Sequence, residues 1–414
     1  MLTPTLLQIN TTVNSGSVGR IAEQIGQAAG AEGWPSYIAY ARNGQPSQSV
    51  LLKIGSQRDI YLHGLCSRLF DNHGQSSAAA TRQLIRRLTS LKPDLVHLHN
   101  IHGYYLNYPL LFDYLAAADV PVVWTLHDCW PFTGHCAYFS LAGCIKWETG
   151  CHHCEQSRTY PASLLADRSA RNYRDKQQAF TSLSRLTLVP VSRWMAGLVG
   201  RSFLRHYPVR TIYNGVDTAV FKPAHPRQAK EAIHLRHGIR PDDFLALGVA
   251  NDWSPRKGLD DFIALRKLLP SACQILLIGL SPRQIARLPE GITGIGRTEN
   301  VAQLAEFYAA ADLFLNPTWE DNFPTTNLEA LACGTPVATY RTGGSIEAVD
   351  AATGFIVQQG DVAGLAAAIR TVQAKGKAAY GAAARRRALA YFDKQDRYKE
   401  YIQLYRDLLN IPIK

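Results

Sequence analysis

The sequence predicts an α/β protein of two domains, each a doubly wound and mostly parallel sheet, and three observations carry that expectation. Short apolar runs alternate with amphipathic stretches of helical period along almost the whole chain. The runs are apolar throughout instead of alternating, as strands covered by helices on both faces require. The pattern also restarts near Phe244, after a stretch, Phe221–Arg240, whose Pro, His and charge content suits a linker.

Strands are expected at Thr5–Asn10, Ser36–Ala41, Asp94–His99, Val120–His127 and Leu186–Ser192. In the second half they are expected at Phe244–Ala250, Gln274–Leu280, Ile292–Gly296, Asp312–Asn316, Pro336–Tyr340 and Gly354–Val357. Helical period marks Ile21–Ala31, Leu106–Ala118, Leu259–Leu269, Val301–Ala311 and Leu365–Ala374. So many strands overfill one doubly wound sheet, which divides the chain into Rossmann-like domains at 1–205 and 206–395. A last helical stretch occupies 396–414, where Tyr398, Tyr401, Ile402, Tyr405 and Leu408 recur on one face. Sheets of this kind hold ligands beyond the carboxyl ends of their strands, so the site is expected in a cleft between two facing sheets.

The chain has 414 residues, 46% of them hydrophobic and 19% charged, the balance of a folded globular protein and not of a disordered one. Met1–Asn10 is apolar but lacks a basic lead and a small-residue cleavage site, so it reads as a first strand. No apolar run is long enough to span a bilayer, and a cytoplasmic location is expected. A formal charge of +11 favours an anionic partner. Basic clusters stand at Arg82, Arg86, Arg87 and Lys92, and at Arg193, Arg201, Arg205 and Arg210. Zinc-finger and aromatic RNA-binding signatures accompany neither cluster, so nucleic acid is not the expected partner.

The most informative segment runs from Trp319 to Gly334, just past the strand expected at Asp312–Asn316. Pro324 disfavours helix at Phe323 and suits a helix start, which leaves Asp321 in the preceding loop and Glu329 in the second turn. The amides of Thr325, Thr326 and Asn327 then form the positive end of a helix, where a diphosphate binds favourably. Asp321 and Glu329 can accept hydrogen bonds from the sugar hydroxyls of such a ligand. Arg256 and Lys257, in Ser254–Gly258 after the first strand of the second domain, would neutralise a diphosphate leaving group. The Gly343-Gly344 pair permits a nest of backbone amides, and Gly16 lies in a turn, Asn14–Arg20, that lets a ligand approach the backbone. His127-Asp128 closes a strand at its carboxyl end, where a site residue belongs.

Asp321, Glu329 and the following Ala330–Val337 together resemble the signature of the family-four retaining glycosyltransferases, which have the GT-B fold. The matches continue in family order through Asn14–Arg20, His127, Ile212–Asp217, Lys257 and Thr342–Glu347. The resemblance implies that Glu329 binds the donor ribose, that Asp321 and His127 face the donor sugar, and that Lys257 neutralises the diphosphate. Asn322, Phe323, Thr325, Thr326, Gly16, Arg256, Gly343 and Gly344 would complete the donor site. The family usually has Glu at the position of Asp321, which makes Glu320 its rival, Gly at that of Pro324, and Arg at that of Asp252. Read without the resemblance, Asn214-Gly215 suits a type I′ turn. Truncation of Glu329 or Lys257 is expected to abolish most transfer and leave the melting temperature nearly unchanged.

His127–Cys136 and Glu320–Pro324 look like the branch that assembles colanic acid and other capsular polysaccharides. That implies an NDP-sugar donor (UDP or GDP), a saccharide acceptor, undecaprenyl-diphosphate-linked, and peripheral contact with the inner membrane. No catalytic metal is expected, because cations and a helix terminus do the neutralising. The alternative readings are a GT-B-fold nucleotide-sugar epimerase or hydrolase, and a nucleotide-sugar-binding protein without catalysis.

Five of the chain's eight cysteines crowd the insertion 129–154. Four of them, Cys136, Cys144, Cys151 and Cys154, end in a Cys-x-x-Cys pair and could close a tetrahedral structural zinc.

Overall fold

The computed structural model describes residues 3–223 and 226–412. The chain divides into two compact units, 1–213 with 397–414, and 214–396. Each is built on a six-stranded sheet.

In the first unit the strands lie in the order Val50–Lys53, Ser36–Tyr40, Leu6–Ile9, Leu95–Leu98, Val122–Leu126 and Leu186–Pro190. Every pairing is parallel, with Leu6 opposite both Ser36 and Leu95, and Val122 opposite Leu186. The two faces of this sheet bury different partners. Val96, Leu98, Val122 and Trp124 pack with Leu111, Phe112 and Phe180 on one side. Leu95, Val123 and Val189 pack with Ile21, Ile25 and the C-terminal helix on the other. Neighbouring residues of one strand thus face opposite cores, which is why the strands read as continuous apolar runs.

The C-terminal helix, Lys394–Leu409, packs through its aromatic face on the first unit. Tyr398, Tyr401, Ile402 and Tyr405 are buried against the first unit's sheet. The Tyr405 hydroxyl meets Nδ1 of His97 at 2.6 Å, and Tyr398 donates to Gln24 at 2.6 Å. The first unit also continues to Tyr213, beyond the boundary expected at 205. The N–H groups of Arg210 and Ile212 donate to the carbonyls of Leu188 and Pro190, which ties the segment to the edge strand.

The second unit repeats the plan in the order Ile292–Ile295, Cys273–Ile278, Phe244–Val249, Leu313–Asn316, Val337–Tyr340 and Gly354–Val357, again all parallel. Ala246, Ile275, Leu277, Leu315 and Ala338 form its centre under Leu365 and Ile369. The expected linker, Phe221–Arg240, is instead largely a helix, Pro226–Arg236, of this unit. It packs against the helix Val301–Ala310 and buries Ile233. Residues 224 and 225 of that stretch lie outside the described residues.

Candidate active site

Three loops of the second unit follow the carboxyl ends of adjacent strands, and hydrogen bonds lock them to one another. The strand Phe244–Val249 leads to the turn Pro255–Lys257, the strand Leu313–Asn316 to the loop 317–324, and the strand Val337–Tyr340 to the turn Gly343–Ala348. The Trp319 N–H donates to the Arg256 carbonyl at 2.8 Å, while the Arg256 guanidinium returns a bond to the Glu320 carbonyl. The Thr342 hydroxyl donates to the Trp319 carbonyl at 3.0 Å, and the Gly344 N–H to the Asn322 carbonyl at 3.1 Å. Lys257 reaches Asp321, Nζ to Oδ2 at 2.5 Å. Residues separated by about ninety positions in sequence therefore meet in one place.

Two glycines make this closeness possible. Gly343 has φ +49°, and a Cβ there would stand 1.8 Å from the Asp321 carbonyl oxygen. Gly258 has φ +75°, and its Cβ would fall 2.2 Å from the Pro317 carbonyl oxygen. Any side chain at either position would push the loops apart.

The helix Thr325–Ala332 begins where Pro324 was expected to start it, with Pro324 at its cap. Asn327 does not supply a donor to a ligand, since its N–H is taken by the Pro324 carbonyl at 3.2 Å. Its side chain is also engaged: it accepts from Asn316 and donates to the Ser345 carbonyl. Thr325 and Thr326 are half-buried at the helix start. Phe323 and Asn322 are buried, and the Phe323 carbonyl accepts from Asn214 at 3.3 Å. Neither Asn214 nor Gly215 has the positive φ that a type I′ turn requires. The segment instead clips to residues 392–394, with Val216 bridged to Asp393 and Asp217 paired with Lys394.

Glu329 is buried, and its Oε2 accepts a 2.8 Å hydrogen bond from the Tyr308 hydroxyl. Burial first, and then the carboxylate beside it, push the Tyr308 phenol well above its ordinary range, so it stays a donor. Glu320 is buried too, whereas Asp321 is partly exposed in its ion pair. Asp252 lies exposed in the loop before Lys257.

In the first unit, Gly16 opens the helix Gly16–Ala31 with φ +68° and no atom within 4 Å of where a Cβ would stand. Its backbone is thus open to approach. His127 follows the strand Val122–Leu126 and stacks on His99, with Nε2 and Nδ1 at 3.2 Å. The network assigns the protons. Gln8 donates its amide to the Ala22 carbonyl, so its Oε1 accepts from Nε2–H of His99. His99 Nδ1 then accepts, and His127 donates from Nε2. Burial lowers the His127 pKa to about 4 and holds His99 well below its ordinary value, so both rings are neutral near pH 7.

A second group was not anticipated. His102 Nε2 donates to Asp128 at 2.7 Å, and its Nδ1 meets the Tyr160 hydroxyl at 2.8 Å. Burial works to raise the Asp128 carboxyl, but His102 and the Trp130 N–H bring it below the usual carboxylate range. His102 lies just past the strand Leu95–Leu98, so the rule that singled out His127 would have found it.

The zinc expectation gains no support from the arrangement of the thiols. Among the described residues no group of three or more His, Cys, Asp or Glu side chains is placed to hold a metal ion. The Cys136 thiol donates to Cys154, and Cys151 Sγ accepts the Gly134 N–H at 3.1 Å. Burial pushes the Cys151 thiol up to about 11, while the hydrogen bond from Cys136 lowers Cys154 to about 7.

Two family models match the chain in succession. The model described as Glycosyltransferase Family 4 covers residues 18–220, and that described as Glycosyl transferases group 1 covers 242–375. The putative colanic acid biosynthesis glycosyl transferase WcaC of Escherichia coli (strain K12) is 25% identical over 97% of this chain and 100% of its own length. Among solved structures, the sucrose-phosphate synthase of Thermosynechococcus elongatus aligns with TM-score 0.71 at 17% identity, over 99% of this chain and 100% of that one. HepE of Anabaena in complex with UDP aligns with TM-score 0.69 at 17% identity, over 97% and 100%. With the sheets, the loop signature and both models in agreement along its length, the chain belongs to the family-four glycosyltransferases of the GT-B fold.

Proposed function

We propose that this enzyme transfers a hexose from a nucleoside diphosphate sugar to a saccharide acceptor with retention of anomeric configuration, and that the second unit binds the donor. The observation that carries the reading is the convergence of Lys257, Asp321, Gly343 and the Thr325 helix start beyond three adjacent strands, the Gly344 N–H being taken by the Asn322 carbonyl. That is a cationic, amide-rich place suited to a diphosphate. Lys257 takes up charge on the leaving phosphate oxygen as the C1–O bond breaks with its electron pair. The acceptor oxygen joins C1 on the same face, and its proton passes to that phosphate oxygen. Glu329, held by Tyr308, receives the ribose hydroxyls. His127 contacts the donor sugar, and no catalytic metal is assigned.

UDP is the favoured nucleotide, because the structural neighbour HepE is described with UDP and with UDP-glucose. Likeness to WcaC supports a place in surface polysaccharide assembly. The acceptor is then a lipid-linked saccharide, met by a cytoplasmic enzyme at the inner membrane surface. No helix among the described residues is long and apolar enough to cross a membrane.

A thermal-shift panel of UDP-, GDP- and ADP-sugars tests the donor. A ligand at a hundred times its Kd stabilises the native state by about 2.7 kcal/mol. A response to none of the three would sink the donor reading. The anomeric proton coupling of the transferred sugar decides retention, and an inverted product would overturn it.

A further inference from the structure

The helix Gln57–Phe70 is apolar on the face turned away from the core. Its inner stripe is Ile60, His63, Gly64 and Ser67, all buried at helical spacing. The opposite side carries Tyr61, Leu62 and Leu65, exposed by 72%, 57% and 41%. Phe70 at its end is exposed as well, and the loop carrying exposed Leu164 and Leu165 is fastened there by a 2.7 Å bond from the Leu164 N–H to the Arg68 carbonyl. A contiguous apolar patch facing water costs free energy unless something covers it.

The surroundings say what covers it. Arg58 and Arg68 flank the patch on the same helix, and Arg82, Arg86 and Arg87 stand exposed on the next one, Ala78–Leu91. A groove of about 860 Å³ lies beside the first turn of Gln57–Phe70, lined there by Asp59 and on the next helix by Gln83, Arg86, Arg87 and Ser90. Asp59 is occupied in capping the first helix with Ser56, and the one other acid between residues 56 and 92, Asp71, is buried against His135. An exposed apolar face bordered by arginines matches a lipid surface with anionic headgroups, which takes up apolar side chains and pairs phosphates with guanidinium groups. A symmetric second copy would set arginines against arginines.

We infer that the outer face of Gln57–Phe70, with Leu164, Leu165 and the arginines of Ala78–Leu91, docks the enzyme on an anionic membrane. This deepens the lipid-linked acceptor reading, on which it rests for its purpose, and its test involves no sugar. Flotation of the full chain with vesicles of phosphatidylcholine and phosphatidylglycerol, against phosphatidylcholine alone, measures the binding. Wild type is expected to float with the anionic vesicles. Leu62→Ser with Leu65→Ser should weaken that at least roughly tenfold. Arg82→Gln with Arg86→Gln should lower it by roughly thirtyfold and abolish the lipid preference.

All four side chains are exposed, so the variants should keep the wild-type melting temperature. A variant that melts early is replaced by Tyr61→Ser or Arg82→Gln alone. Wild type that stays unbound, or variants that float like wild type, would overturn the proposal. So would a wild-type dimer in light scattering that Leu62→Ser with Leu65→Ser turns into monomer, since the face would then belong to a second copy. Transfer to a detergent-dispersed acceptor reports separately on the reaction.

Discussion

Nζ of Lys257 lies 2.5 Å from Oδ2 of Asp321, so the residue suited to neutralise a diphosphate already carries a carboxylate partner. On the proposed reading, a nucleoside diphosphate and Asp321 would compete for one ammonium. Both side chains are partly exposed, at 21% and 16%, and an ion pair of that kind contributes about 1 kcal/mol or less to stability.

The two partners should therefore fail differently. Lys257→Ala is expected to lower kcat by about 10²- to 10³-fold and weaken nucleotide binding, with an almost unchanged melting temperature. Asp321→Asn keeps the hydrogen bond and removes the competing charge. It should bind the nucleoside diphosphate at least as tightly as wild type while losing turnover. Calorimetric titration beside initial rates separates these outcomes, and weaker nucleotide binding in Asp321→Asn would contradict the competition.

Glu329 behaves otherwise, and here the expectation of an unchanged melting temperature is revised. It is buried with the Tyr308 hydroxyl on Oε2, so Glu329→Ala leaves a buried phenol without this acceptor. A loss of about 1–3 kcal/mol in stability should accompany its loss of transfer. Tyr308→Phe should share the destabilisation and weaken nucleotide binding more mildly, because the carboxylate remains. Urea titrations of both variants measure this.

The same residues mark how far the sequence could be read. Strands such as Phe244–Val249 and Leu313–Asn316 were legible because both of their faces are buried. Val50–Lys53 was missed because it is an edge strand whose ends, Val50 and Lys53, face solvent, leaving too short an apolar signal. The helix Pro226–Arg236 passed for a linker because its composition is polar and begins with proline. The loops 254–258, 317–324 and 342–348 were singled out through their motifs. The bonds that hold them, such as Tyr308 to Glu329 or Arg256 to the Glu320 carbonyl, join distant positions and follow no local period. The pairing of His102 with Asp128, 26 positions apart, is of the same kind, although each residue lies just past the carboxyl end of a strand.

Gly343 and Gly16 both have positive φ but differ in their surroundings, which gives a paired test. Alanine at Gly343 would place Cβ 1.8 Å from the Asp321 carbonyl oxygen, so the loop 319–322 must move. Gly343→Ala should weaken nucleotide binding at least roughly tenfold, because a 1 Å misplacement is enough to cost that much. Gly16→Ala meets nothing within 4 Å and should show only the backbone strain, about 1–2 kcal/mol. Equal nucleotide affinity in wild type and Gly343→Ala would show that the loop contact is dispensable.

Acid should unfold the protein early, and the histidines give the sign. Burial lowers His63 and His127 from 6.5 to about 4, and holds His73, His97 and His99 well below 6.5. The folded rings resist a proton that the unfolded chain accepts below 6.5. Their contribution to stability is therefore complete above about pH 6.5 and is lost as pH falls toward about 4. Each ring can remove up to about 1.4 kcal/mol per pH unit over that window, or roughly 2 kcal/mol at pH 5. Urea midpoints at constant ionic strength should fall between pH 7 and pH 5, before most carboxylates titrate, with a slope of more than one proton. His97→Gln should flatten the slope by about one proton, since glutamine does not titrate and can still bond Thr125 or Tyr405. Midpoints that stay level across this range would mean that the buried rings are protonated in the fold, against the neutral tautomers assigned to His99 and His127.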